Sequence, residues 1–331
     1  MSVSFPRSPR QAPEEPLLPP QETVLDKGIT LWGATATGKT SFIAALYSTL
    51  YDHKTGWRLR GEDEASTERL VSFTHTLVDE GAFPRATERV QEYHWSLVGS
   101  VPSREWHWYG ARRRRADVVI PLTVVDAAGE VVSASKSTRR AITQRFVDSL
   151  ANSTGIVFFY DPIREHNVGD AFEHTFGVLA ELDSRLKPQG RLPHRVAVCV
   201  TKFDEPRMLD AAHQMGIVDF DIDPPYFPRV MESDAREFFS RVCAVSKTRT
   251  ARRILPILEA TFEPSKIRYF VTSSIGFYVD QSTGVFNPRD YQQHIPGPTA
   301  RDTGRVRGDV RPINVTEPIL WLGNQLAKEV S

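Results

Sequence analysis

No stretch of this sequence is apolar enough for long enough to cross a bilayer. The longest candidate, residues 118–125, contains Pro121 and Thr123, and a span needs roughly eighteen apolar residues. There are only two cysteines, Cys199 and Cys243, too few for a disulfide framework or a zinc knuckle. Neither charge is in excess, because 41 Lys and Arg balance 41 Asp and Glu. No overall field therefore draws the chain to nucleic acid or to an anionic membrane. The nine histidines show no metal-ligand spacing, no internal repeat is visible, and the first residues lack the apolar stretch of a secretory signal. These absences leave a reduced, soluble, cytoplasmic protein as the expectation, with neither membrane nor nucleic acid as partner.

What is present is ordinary globular material. Of 331 residues, 40% are hydrophobic and 25% charged, enough for a sizeable core. Residues 1–22 hold six of the 23 prolines and little that could build a core, so they read as a disordered tail. Beyond it, residues 23–331 alternate between short apolar runs and helical patterns. Strands are expected at 28–32, 90–98, 117–125, 155–160, 195–201 and 267–272. Helices are expected at 40–51, 137–150 and 170–186, in parts of 232–261, and from Thr316 onward, where Pro318 suits a first turn. The alternation predicts an α/β fold with a doubly wound, mostly parallel sheet. Two stretches interrupt it, about 205–264 and 280–312. Both read as insertions in one domain, with a small second lobe made from 205–264 as the alternative.

The chemistry begins directly after the first strand. Gly33, Ala34, Thr35, Ala36, Thr37, Gly38, Lys39 and Thr40 match the phosphate-binding pattern G-x-x-x-x-G-K-[ST], with Ser41 next. A strand before and an amphipathic helix after are the context this pattern requires. Backbone N–H groups there would cradle phosphates at a helix N-terminus. Lys39 would reach the β- and γ-phosphates, and the Thr40 hydroxyl would ligate Mg²⁺. Asp126 and Gly129 form a D-x-x-G at the end of a buried strand. Asp126 could hold a Mg²⁺-bound water, and the Gly129 N–H could sense the γ-phosphate. Thr201, Lys202 and Asp204 end another strand. The Asp204 carboxylate can accept from guanine's ring N–H and its amine, a donor pair that adenine lacks. The Lys202 stem can lie across the base. Ser273 and Ser274, after the next strand, could offer backbone N–H groups to the guanine oxygen.

With these motifs in this order on successive strand ends, the chain resembles the Ras-like GTPases of the translation-factor-related (TRAFAC) class over about residues 24–331. The resemblance implies a six-stranded P-loop sheet, GTP and GDP as ligands with Mg²⁺, and two switches flanking the γ-phosphate. It also implies a threonine just before the second strand that ligates Mg²⁺ in the GTP state. Thr87 is so placed, with Ser100 and Ser103 as competitors. The Pro84-to-Thr87 spacing and the late Pro312-Ile-Asn-Val315 look like bacterial double-GTPase conflict-system proteins, whose partners would be a second GTPase, an activator or an effector. Two residues depart from the class. Glu130 stands where a glutamine usually orients the attacking water, and Thr35 stands where glycine leaves room for an activator's arginine. Lys39, Thr87 and Glu130 are thus the catalytic candidates of a slow hydrolase. A non-cycling GTPase-like scaffold and a P-loop ATPase are the alternatives. Arg112 to Arg115 read as a solvated hairpin end, the nearby Trp95, Trp106, Trp108 and Tyr109 as packed aromatics, and Cys199 as inert core.

Overall fold

The computed structural model describes residues 22–52, 55–84, 91–107, 110–126, 136–187, 190–298 and 303–330. Strand β1 (Glu22–Val24) leads into β2 (Gly28–Gly33), and helix α1 (Lys39–Asp52) follows. Next come β3 (Trp57–Gly61) and α2 (Glu64–Thr74), then a long hairpin of β4 (Gln91–His107) and β5 (Gly110–Asp126). Helices and strands then alternate through α3 (Lys136–Ala151), β6 (Ser153–Tyr160), α4 (Pro162–Asn167), α5 (Ala171–Leu186) and β7 (Arg195–Val200). Between β7 and the next sheet strand lie α6 (Pro206–Met215), the small hairpin β8 (Val218–Phe220) and β9 (Pro228–Val230), α7 (Glu232–Ala244) and α8 (Ile254–Thr261). β10 (Ile267–Val271), the short pair β11 (His294–Ile295) and β12 (Arg305–Val306), and α9 (Thr316–Val330) complete the chain.

The central sheet has eight strands in the order β10-β7-β6-β2-β5-β4-β3, with β1 beside β5. From β10 to β5 every pairing is parallel, while β4 and β3 are antiparallel additions. The six strands expected from the sequence form the run from β10 to β4. β3 is an edge strand whose Trp57 and Leu59 are buried while Arg58 and Arg60 are exposed, a period-2 pattern too short to stand out.

Both faces of the parallel strands are covered, which is why they read as continuous apolar runs. On one face, Phe42 and Leu46 of α1 and Ile319 and Leu322 of α9 pack against Leu31, Leu122 and Phe159. On the other, Phe146, Leu150 and Leu182 meet Trp32, Phe158 and Val198. That second core also holds Leu209, Phe238, Phe239 and Leu258 from 205–264. Cys199 is fully buried, and burial pushes its thiol well above the usual range, as expected of an inert core residue. Among the described residues no helix is long and apolar enough to cross a membrane.

The hairpin corrects two details. β4 and β5 extend well beyond residues 98 and 117, so Arg112 to Arg115 lie inside β5, opposite Glu105, Arg104, Ser103 and Pro102. Gln91 pairs with Asp126, whereas Ser100 pairs with Asp117. Nine residues of strand separate these two ends by about 30 Å. The start of β4 is therefore beside Asp126, and Ser100 and Ser103 lie further along the strand, away from it. They are excluded as competitors of Thr87. Thr87 itself lies outside the described residues, as do Gly129, Glu130, Trp108, Tyr109 and the tail to residue 21.

Candidate functional site

Because β2, β5, β6, β7 and β10 run parallel, their C-terminal ends share one sheet edge, where ligands of doubly wound sheets bind. The 33–40 loop leaves β2 there. Asp126 closes β5, although its side chain lies outside the described part of the chain. Asp161 follows β6, the Thr201–Asp204 turn follows β7, and Ser273 follows β10.

The phosphate loop is shaped by its own backbone. Ala36 (φ 62°) and Gly38 (φ 90°) are left-handed, and alternating left- and right-handed residues turn successive N–H groups toward one anion. A Cβ at Gly38 would meet no atom within 4 Å, so this side of the loop is open. A Cβ at Gly33 would sit 2.9 Å from the Phe159 Cβ and carbonyl oxygen and from Thr37 Oγ1, so only glycine fits where β2 passes β6. The Thr37 hydroxyl donates to the Ala34 carbonyl at 2.9 Å. The buried Lys39 ammonium donates to the carbonyls of Gly33 (3.1 Å) and Ala34 (3.0 Å), which holds it over the loop. Thr40 sits in the first turn of α1. Behind the loop His174 is half-buried, and desolvation first and the Lys39 charge second push it down to about 4. The ring is neutral at physiological pH and adds no charge behind the cradle.

The base end is built from side chains on several segments. Thr201 is buried and ties β7 to β6, its N–H and hydroxyl both donating to the Tyr160 carbonyl (2.9 and 3.2 Å). Lys202 adopts a left-handed φ of 60°, a conformation that clusters at functional sites in non-glycine residues. Its ammonium lies 2.7 Å from the buried Asp161 carboxylate. Asp161 also caps α4, accepting from the N–H groups of Ile163 and Arg164 at 2.9 Å each. Phe203 is fully buried against Phe238 and Phe277 and anchors the turn. Asp204 is buried, and desolvation raises its carboxyl to about 6 against the opposing pull of the Ser273 hydroxyl.

Ser273 differs from its expected role. Its N–H donates to the Ile313 carbonyl at 3.0 Å and is not free for a ligand. Its hydroxyl instead donates to Asp204 Oδ1 and accepts from the N–H of Gly276 at 2.8 Å. It therefore orients the carboxylate. The Ser274 amide has no hydrogen-bond partner among the described residues.

The residues present fit a guanine nucleotide: an open backbone cradle with a lysine folded over it, and a buried carboxylate oriented by the Ser273 hydroxyl. Sequence reasoning did not single out Asp161, Glu205 or His294. The Asp161-Pro162 pair was a legible helix-start signal, but its ion pair with Lys202 joins two strand ends far apart in sequence.

A family model described as Double-GTPase 1 matches residues 30–201, just over half of the 331 residues. The match runs from β2 to the end of β7 and stops short of Asp204 and Ser273. No curated protein matches the chain.

Proposed function

The chain belongs to the Double-GTPase 1 family, whose domains bind guanine nucleotide, and from that premise we propose a Mg²⁺-dependent GTP switch that hydrolyses slowly and acts through a protein partner. One observation carries the reading: a backbone-shaped phosphate loop after β2 and a buried carboxylate after β7 share one edge of the sheet. Lys39 and the N–H groups of residues 33–40 hold the phosphates. Thr40 and Thr87 are the metal ligands, with Asp126 acting through water. Asp204 and the Ser274 amide read the base, Thr201 fixes the turn, and Lys202 spans from that turn to β6. Bound Mg²⁺ supplies neutralisation of charge on the β- and γ-phosphates.

Asp126 ends β5, with Gly129 and Glu130 following it in sequence, and Thr87 precedes β4 in sequence, the order that supports reading these segments as the two switches. An ionised Glu130 facing the γ-phosphate opposes charge build-up during attack by water, which keeps intrinsic hydrolysis slow. The double-GTPase resemblance supports a second GTPase, an activator or an effector as the partner, in a bacterial defence-type setting and in the cytoplasm. The tail and the two insertions are elaborations of one G domain.

A titration with fluorescent GDP, competed by GTP and by ATP, tests the binding claim. Displacement by GTP and not by ATP is expected, and equal competition would make this a general P-loop ATPase. Phosphate release by the isolated protein should stay below about 10⁻² s⁻¹. A much faster rate overturns the slow switch, and equal partner binding in both nucleotide states favours a scaffold.

A further inference from the structure

Residues 280–312 carry none of the phosphate or guanine motifs, yet they run from the guanine-reading loops to the chain that leads into the first switch. They are anchored on the Ser273–Gly276 loop. Ile313 and Ser273 exchange backbone hydrogen bonds (3.0 and 2.8 Å), and the Arg311 N–H donates to the Ile275 carbonyl at 3.0 Å. Gly276 has a φ of 70°, and a Cβ there would lie 1.9 Å from the Arg311 carbonyl oxygen, so the return strand lies directly on this loop. At its other side the segment meets residues 81–83. The Val306 N–H donates to the Gly81 carbonyl at 2.7 Å, and Ala82 forms a bridge with Arg305.

His294 stands between these two attachments. Its Nδ1 lies 3.5 Å from the Glu205 carboxylate, next in sequence to Asp204, and its Nε2 is 3.0 Å from the Thr303 carbonyl oxygen. Its ring meets Phe83 edge to face, with centroids 5.4 Å apart and planes at 88°. A carbonyl and an ionised carboxylate can only accept, so this geometry suits an imidazolium donating from both nitrogens. The Glu205 carboxylate accordingly raises His294 above its ordinary 6.5, against burial, with the Thr303 carbonyl and Asp204 adding to the rise. The ring also lines an open cleft of about 500 Å³ with Arg289, Asp290 and Arg307, of which Asp290 and Arg307 pair with each other.

We propose that residues 280–298 and 303–312 form a strap that couples occupancy of the guanine site to the chain entering the first switch, with His294 as the positioning residue that joins the two. The proposal rests on the guanine-nucleotide reading above. A nucleotide that settles the Asp204–Glu205 turn steadies His294, and His294 steadies Phe83, four residues before Thr87. The sign of the pH response follows from the raised value of His294. The contact is complete below pH 6.5 and is lost as pH rises through the raised value.

The test measures fluorescent-GDP dissociation from full-length wild type, His294→Ala, Phe83→Ala and the double variant. Each single change should speed dissociation about three- to tenfold, the scale of an edge-to-face aromatic contact. The double variant should add little to the larger single effect, and the preference for GTP over ATP should persist because Asp204 is intact. Hydrogen exchange at residues 81–83 should slow on GDP binding in wild type and not in His294→Ala. Between about pH 6 and about pH 8, wild-type dissociation should accelerate. His294→Gln, which keeps a donor for Thr303 and cannot titrate, should show no such rise. Wild-type rates in both singles, additive effects, GDP-dependent protection that survives in His294→Ala, or an unchanged pH response in His294→Gln would each overturn the strap while leaving guanine binding in place. A wild type that holds ADP as well as GDP overturns both.

Discussion

The phosphate loop consists of consecutive residues whose shape comes from left-handed Ala36 and Gly38 and from Lys39 bonded back to Gly33 and Ala34. The guanine site instead joins Asp204 to Ser273, 69 positions away, and Lys202 to Asp161 on the neighbouring strand end. In the proposed binding mode one end meets its ligand with main chain and a point charge, the other with oriented side chains in a dry environment. Main-chain donors do not distinguish nucleotides, since all carry the same phosphates. The proposal therefore assigns selectivity to the second end, and damage to the two ends should look different.

The largest effect is expected from Lys39→Ala, which removes charge-assisted bonds to phosphate. Affinity for GDP should fall about 100-fold in titration, and the ratio of guanine to adenine nucleotide affinity should stay the same. A changed ratio would break the division between the two ends. Asp204→Asn should act in the opposite way, lowering GDP affinity about 30-fold and collapsing the preference over ADP. The same variant should not lower the melting temperature of the nucleotide-free protein. Because the folded carboxyl is raised to about 6, its contribution to stability is greatest at low pH and is lost as pH rises from about 4 through 6. Above that range the fold carries a buried charge that guanine's donors would compensate.

Acid should reproduce part of this loss. In the proposed mode guanine binds an ionised Asp204, so GDP affinity should weaken about tenfold for each pH unit below about 6. ADP binding by the wild type should change much less, and a parallel loss for both nucleotides would point to the phosphate end. The smallest effect is expected from Ser273→Ala. It removes one hydrogen bond that favours the ionised carboxylate, so GDP affinity should fall about fivefold and the acid limb should move toward higher pH. An unmoved acid limb would show that Ser273 does not orient Asp204.

How much of this was legible depended on how local the physics is. The phosphate loop could be read directly, because its glycines, lysine and threonine act within one turn between a strand and a helix. The parallel sheet could be read because strands covered on both faces leave unbroken apolar runs such as Arg195–Val200. Asp204 was visible as a carboxylate ending a strand, but the function of Ser273 was not. Whether it used its amide or its hydroxyl depended on Ile313 returning to take the amide. Nor could spacing alone separate Thr87 from Ser100 and Ser103. The pairing of Gln91 with Asp126 sets the hairpin register and carries Ser100 and Ser103 away from Asp126.

The strap lies furthest from what local pattern can reveal. Residues 280–312 read as a loop rich in Gly, Pro, Arg and Asp, and His294 as one histidine among nine. Hydrophobic period, glycine placement and motif spacing were enough for the fold class and the phosphate end, because those properties act over a few neighbouring residues. The partners of His294, of Asp161 and of Ser273 come from distant segments, and chain topology alone brings them together. A side chain's protonation and its hydrogen bonds follow from those neighbours, so they took form only once the sheet had closed and the insertions had packed against its edge.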